Sequence, residues 1–515
     1  MVSTEINERG NERLHAAHTL LLLGIAALAL SILPVHAGDK PALPTEDDYY
    51  KIVKIPIPEG IVLECGGMEF LPDGKLAIST RRGDIYFVEH PNDPQNVKFT
   101  KWATGLHESL GLAYNKKDGF LYAIQRGEIT RLKDTDGRGH ANVYETFCDD
   151  WGITGDYHEY AFMSKFDKDG NLWVLLTLTG SFTSQARFRG WCLRVTPEGK
   201  IIPTCSGLRS PGGIGFNEKG EVFYNDNQGP WQGGDNFNYL EPGKFMGHPT
   251  GNKWYELAAN IGPKPKDPVD KSRIWDEAQK IPEYNVPVVI QPYNKLGQSG
   301  SSVVCDMSDG KFGPFTHQFF SGDQHHSNLL RDGIEKVNGR YQGWCILFRQ
   351  GFSSGNIPAI QAPDGSLYVG GTSRGWGAVG PKEFALEHLV WTHKVAFEVL
   401  DMHVASDGFD LTFTEPVDKT TAGNASSYKM TTWCYIYRAE YGSPEVDKTT
   451  ATIKSAQVSG DGLHVHLSVD GMVPGHLHEL HMDDVRSEKG LPLLHQAIWY
   501  TLWQIPAKET PGQKL

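Results

Sequence analysis

Turn-punctuated strands, a unit that recurs every 43 to 53 residues or so, and a change of rhythm near residue 393 together predict an all-β chain. The expected order is a targeting segment at 1–37, a six-bladed β-propeller over 38–392 and an immunoglobulin-like β-sandwich over 393–508. At 515 residues the chain exceeds one ordinary core, which calls for more than one domain. The 57 Gly, 30 Pro and 11% aromatic residues suit many short strands joined by tight turns. A formal charge of −13 excludes a basic nucleic-acid-binding surface, because phosphates call for Lys and Arg.

The first element is the leader. Residues Leu20 to Leu30 form an uncharged apolar run, and Val35, His36 and Ala37 place small residues where a signal peptidase cuts. Cleavage before Gly38 predicts a secreted or periplasmic protein with no stable membrane span after processing. An uncleaved N-terminal anchor is the alternative. Seven scattered cysteines do not make a disulfide scaffold, although Cys192 and Cys205 flank a strand-turn-strand pattern that could bridge. No CxxC or CxxCH is present, so neither a zinc ribbon nor a c-type haem is predicted.

The propeller is read from its repeats. Each unit has an apolar start, an Asp-Gly or Lys-Gly turn and an alternating strand. The units are FLPDGKLAIS from Phe70, AYNKKDGFLYAI from Ala113, FDKDGNLWVLL from Phe166, FNEKGEVFYND from Phe216 and QAPDGSLYVGG from Gln361. Such turn pairs supply the positive φ that a tight hairpin needs, and the spacing fits one four-stranded blade per unit. The gap between Phe216 and Gln361 leaves room for a sixth, degenerate blade near PFTHQFFSGD from Pro314, and for a Pro/Lys-rich insertion around Gly262 to Pro287. After Trp376 the repeat stops. FDLTFTEPVD, SYKMTTWCYIYRAEY, ATIKSAQVS and HVHLSVDGMV then give the short alternating strands of a small sandwich.

One stretch carries most of the functional signal: GLRSPGGIGFNEKGEVFYNDNQGPWQGGDNFNYLEPGKFMGHP, from Gly207 to Pro249. Its order of Arg209-Ser210-Pro211, Gln228-Gly229-Pro230, Gly233-Gly234-Asp235, Asn238 and Pro242-Gly243 resembles the soluble quinoprotein glucose/sorbosone dehydrogenase family. The phrases GGMEFLPDGKLAIS, YHEYAF and LYVGGTSRGWGAVG resemble a divergent, planctomycete-type secreted branch of it. The resemblance implies a six-bladed propeller that oxidises a sugar or related alcohol with pyrroloquinoline quinone (PQQ) and calcium. By the same resemblance His158, preceded by Asp156, is the base, and imidazole titrates near neutrality as the role needs. Arg209 lies against the quinone and stabilises charge on its oxygens. Ser210 and Gln228 belong to the cofactor site, and the carbonyls of Gly229 and Pro230 bind calcium, a cation that prefers oxygen. Three places depart from the pattern. Ser210 stands where the family has Asn, His107 and Glu108 stand where it has Gln, and the arginine pair expected before the last PDG is missing from NIPAIQAPDG.

Other residues make weaker candidates. DTDGRGHANVYE has EF-hand spacing, with Asp134, Asp136, Gly139 and Glu145 as a second calcium loop, although Arg138 sits at a ligand place; an ordinary turn is the alternative. His464 with His466, and His476 with His478, could meet on adjacent strands as a copper or zinc site, with His481 nearby; strand-surface positions are the alternative. His325 and His326 fall in a loop that could face substrate. Trp231, Trp344 and Trp376 could stack on sugars or pack between blades. The expected partners are a small or oligomeric carbohydrate and an electron acceptor. A carbohydrate lyase or lactonase using His158 and a metal, or a non-catalytic carbohydrate-binding propeller, are the competing functions.

Overall fold

The computed structural model describes residues 42–180 and 183–507; the leader at 1–37 lies outside them. Five four-stranded antiparallel sheets stand separately. The first runs Cys65–Phe70, Leu76–Thr80, Ile85–Glu89 and Lys98–Ala103, the second Gly111–Asn115, Phe120–Ile124, Ile129–Lys133 and Val143–Cys148. The third holds Ala161–Phe162, Leu172–Leu176, Trp191–Val195 and Ile201–Ser206. The fourth holds Pro211–Phe216, Val222–Asp226, Asp235–Tyr239 and Val289–Gln291. In the last, Asn356–Gln361, Leu367–Thr372 and Phe384–Trp391 are completed by the N-terminal strand Tyr50–Lys54, so the two ends of the propeller are sewn into one sheet.

The count differs from the six independent blades expected. Gly300–Cys305, Phe319–Asp323, Asn328–Val337 and Arg340–Arg349 do form a four-strand run, but its outer strand is not an edge. Gly343 to Cys345 pair with Thr501 to Trp499, and the sheet continues through the C-terminal strands to twelve in all. For the same reason the segment 393–508 is not a free-standing sandwich. Trp344 and Ile346 share one apolar core with Phe409, Leu411, Val465, Leu467 and Tyr500. The insertion also reaches this region: Ser272–Arg273 pairs with Tyr437 and Ile436.

The expected turns are present, each with a carboxylate or amide accepting backbone N–H groups. Asp73 accepts from Lys75 N, Asp167 from Asn171 N and Asn217 from Glu221 N, while Gly74 and Gly170 take φ near +85°. Apolar residues on the sheet faces fill the layers between sheets; Val174, Leu176, Leu193 and Val195 meet Tyr122, Ile124 and Ile129. Each such side chain stabilises by about 1.5–3 kcal/mol when fully buried.

Glycines and small polar residues let the innermost strands converge. A Cβ on Gly67 would lie 2.7 Å from the Gly111 backbone, and one on Gly212 would lie 2.2 Å from the Gly300 carbonyl oxygen. No side chain fits there, so neighbouring inner strands pack backbone against backbone.

All seven cysteines are free and buried, Cys192 and Cys205 included, although these two face each other in register. Among the described residues no helix is long and apolar enough to cross a membrane.

Candidate functional site

The loop entering the third sheet carries His158. Asp156 Oδ1 accepts from His158 N at 2.9 Å and from Gly180 N at 2.6 Å, which ties the loop to the strand end opposite. His158 Nδ1 lies 2.8 Å from the Leu178 carbonyl oxygen. A carbonyl only accepts, so Nδ1 carries the proton and Nε2 is the unprotonated nitrogen. Nε2 lies 3.3 Å from Ser210 Oγ. Burial, helped by the charge of Arg209, lowers the histidine pKa to about 4, so the ring is neutral at pH 7.

The loop after the third sheet carries Arg209 and Ser210, and a buried carboxylate shapes it. Asp226 Oδ2 accepts from Arg209 N at 2.8 Å and Oδ1 from Ser210 N at 2.6 Å; Gln232 Nε2 donates to Oδ2 at 3.1 Å. Burial raises the Asp226 pKa against the pull of these donors. The Arg209 guanidinium, only 3% exposed, reaches the Asn227 carbonyl at 3.4 Å, and its Cζ lies 5.1 Å from the ring centre of Tyr441. Burial lowers its pKa while Tyr441 and Asp226 oppose the shift.

His158, Arg209, Ser210 and Gln228 therefore line one cavity of about 400 Å³ at the centre of the propeller mouth. Asn227, Gln298, Ser299, Ser301 and Gln324 add amides and hydroxyls, and Tyr157, Trp376 and Tyr441 add aromatic walls. His325 also lines it, with Nδ1 3.0 Å from the Gly377 carbonyl oxygen. Behind the wall two buried carboxylates hold the loops. Asp235 Oδ1 accepts from Gln228 N at 2.7 Å, and Asp323 accepts from the backbone N–H groups of Gln298, Ser299 and His326. Burial, with Asp323 close by, pushes the Asp235 pKa well up.

Three expectations are corrected. The Gly229 carbonyl already accepts from Gln232 N at 3.1 Å and Gly442 N at 3.2 Å, and neither Gly229 nor Pro230 lines the cavity. A carbonyl with both lone pairs used in this way is a poor calcium ligand. The EF-hand spacing folds as a turn. Asp134 accepts from Gly137 N and Gly139 N, Asp136 pairs with Arg138, and Glu145 on its strand pairs with Arg131 at 2.7 Å. The histidine strands His464–Asp470 and His476–His481 are separated by two others. His466 instead pairs with Asp407 and Asp410, and His478 is buried and accepts from Val473 N. Among the described residues one His/Cys/carboxylate group, Cys434, Asp447 and His476, is compact enough for a metal, but the Arg273 guanidinium already holds both Asp447 oxygens.

The tryptophans divide. Trp344 is buried in the C-terminal core and Trp231 packs on Tyr437, while Trp376 lines the cavity with its ring 3.8 Å from the Arg81 guanidinium. Arg81, Arg126 and Arg374 gather behind Trp376 and Tyr160 around Glu108, with Glu64 bound to Arg374 and Arg82. Asp226, Asp323 and Tyr441 are the site residues that the sequence did not disclose. The only local hints were the NDN before Gln228 and the GD before Gln324.

Residues 83–304 match a family described as a domain of unknown function (DUF7133). No curated protein matches the chain. Among solved structures, a putative oxidoreductase (glucose dehydrogenase) from Thermus thermophilus is 21% identical, covering 66% of this chain and all of its own, with a TM-score of 0.48. The PQQ-bound aldose sugar dehydrogenase of Streptomyces coelicolor is 17% identical, covering 68% and 100%, with a TM-score of 0.48. A putative gluconolactonase is 12% identical, covering 66% and 92%, with a TM-score of 0.39.

Proposed function

We propose that this chain is a quinone-dependent oxidoreductase acting on a sugar or related alcohol in the bowl at the propeller mouth. The observation that carries the reading is a neutral imidazole whose unprotonated Nε2 sits beside Ser210 on the wall of a cavity shared with a buried guanidinium. A planar quinone would be held by Arg209, Gln228 and Ser210 on the cavity wall. The cavity has the volume and the donor set for such a group. When bound, the quinone accepts the hydride. His158 Nε2 takes the hydroxyl proton, Arg209 balances negative charge, and Ser210 orients the ring edge. Ser301 Oγ and Asn227 Oδ1, buried and without a hydrogen-bond partner among the described residues, suit a ligand rich in hydroxyls.

The sequence reading adds export through 1–37, a sixth, degenerate blade near Pro314, and an immunoglobulin-like origin for the C-terminal strands. Calcium enters only as a variable of the test, because the Gly229 carbonyl expected to bind it is engaged and Pro230 does not line the cavity. A second reading, a carbohydrate-binding propeller without redox chemistry, is favoured by Tyr441 covering Arg209. Purified protein mixed with PQQ, with and without calcium, and screened against aldoses with an artificial electron acceptor separates the two. Sugar-dependent reduction that disappears in His158→Ala supports oxidation; sugar binding without any reduction assigns the second reading.

A further inference from the structure

The bowl is not built by the propeller alone. Tyr441 comes from the loop between the strands Lys429–Tyr437 and Glu445–Val458, more than 200 residues beyond Arg209, and it lines the same cavity as Tyr157. Tyr441 is 58% exposed and Tyr157 66%, which is unusual for large aromatic side chains in a polar rim. Exposure of this kind commonly means mobility, but here the loop is fastened at several points. Trp231 N donates to the Arg438 carbonyl at 2.7 Å, Gly442 N to the Gly229 carbonyl at 3.2 Å, and Ala439 N to Asp270 at 2.8 Å. Arg438 Nε closes the loop on the Gly442 carbonyl at 2.9 Å. The side chain is held as well: Gln228 Nε2 donates to the Tyr441 hydroxyl at 3.3 Å, and the Arg209 guanidinium lies beside the ring.

A rigid, exposed aromatic ring costs little entropy to engage and presents an apolar face to the C–H face of a pyranose. The same cavity is lined by Ser301 and Asn227, whose Oγ and Oδ1 are buried with no hydrogen-bond partner among the described residues, and by Gln298 and Gln324. A hydroxyl-rich unit inside the bowl and an apolar sugar face at its rim describe a chain of sugars rather than one.

Resting on the sugar reading above, we propose that Tyr441 and Tyr157 form an outer subsite that binds the second unit of a glycosidically extended sugar, so that the C-terminal region sets substrate length. The site takes a di- or oligosaccharide whose terminal unit enters the bowl.

The test uses calorimetric titration of the whole purified protein, without added quinone, with glucose, cellotriose and maltotriose. At least one trisaccharide is expected to bind about tenfold more tightly than glucose. Tyr441→Ala should erase most of that gain, so that the ratio of trisaccharide to glucose affinity falls to within about twofold of one, whereas Tyr441→Phe, which keeps the ring, should retain the ratio within about twofold. Thermal melting of each variant checks the fold, which an exposed loop side chain is expected to leave intact. Trisaccharides that bind no better than glucose, or a gain that survives Tyr441→Ala, overturn the proposal. Its failure is distinct from failure of the redox reading. A trisaccharide gain with no quinone-linked turnover removes only the latter, and turnover with equal KM for glucose and trisaccharides removes only the former.

Discussion

Replacing Asp226 by Asn tests whether one buried carboxylate builds the site. The carboxylate accepts the N–H groups of Arg209 and Ser210 and the side chain of Gln232. An amide of the same shape keeps one oxygen. If that oxygen stays with Ser210 N, the amide nitrogen faces Arg209 N, and a buried donor is left without an acceptor. Gln232 can turn its own oxygen, which has no hydrogen-bond partner among the described residues, to the new amide, but that does not serve the backbone. An unsatisfied buried donor costs about 1–3 kcal/mol. In domains of 150–250 residues each kcal/mol moves Tm by about 2–4 °C, and less in a longer chain, so a drop of a few degrees is expected. Because the disturbed loop carries Arg209 and Ser210, PQQ affinity should fall by about tenfold for each 1.4 kcal/mol lost to loop ordering. Scanning calorimetry and absorbance titration of PQQ read the two effects. A variant that melts with the wild type and binds PQQ equally well would show that Asp226 does not organise the loop.

Three further outcomes follow from the same geometry. The acid limb of kcat/KM should lie near pH 4 rather than 6.5, since His158 is held neutral by burial and by Arg209 and works only unprotonated; a limb near 6.5 in the pH profile refutes this. His248 and His478 are buried with pKa values lowered to about 3, so the unfolded chain binds more protons than the folded one between about pH 3 and 6.5. The stability these two histidines contribute should therefore be full above pH 6.5 and fall by a few kcal/mol as the pH drops through that window, and urea unfolding at pH 7 and pH 4.5 measures it. Gly229→Ala should weaken PQQ binding, because a Cβ there would lie 2.2 Å from Arg209 Nε and push the guanidinium aside; unchanged binding would place the ligand elsewhere.

The repeat and its turns were legible because each is local. Asp73, Asp167 and Asn217 declare their turns within four residues, and alternation marks the paired strands. His158, Arg209, Ser210 and Gln228 were legible as an ordered string of loop residues, and propeller closure does the rest by bringing loop ends to one mouth. Tyr441 was not legible, since its meeting with Gln228 spans 213 residues and no pattern near it differs from an ordinary strand loop. The same reason hid the merging of Arg340–Arg349 with the C-terminal strands: alternation shows that a strand is half-buried, not which edge it finds. The carbonyl of Gly229 misled for a related cause, since the N–H of Gly442 that occupies it arrives from another part of the chain.

The most direct measurement is a crystal structure of the protein soaked with PQQ. The account predicts the quinone in the bowl, with Arg209 and Gln228 against it and open space for a hydroxyl within hydrogen-bond reach of His158 Nε2. Electron density for the quinone outside the bowl, or a bowl that stays empty at saturating PQQ, would contradict it.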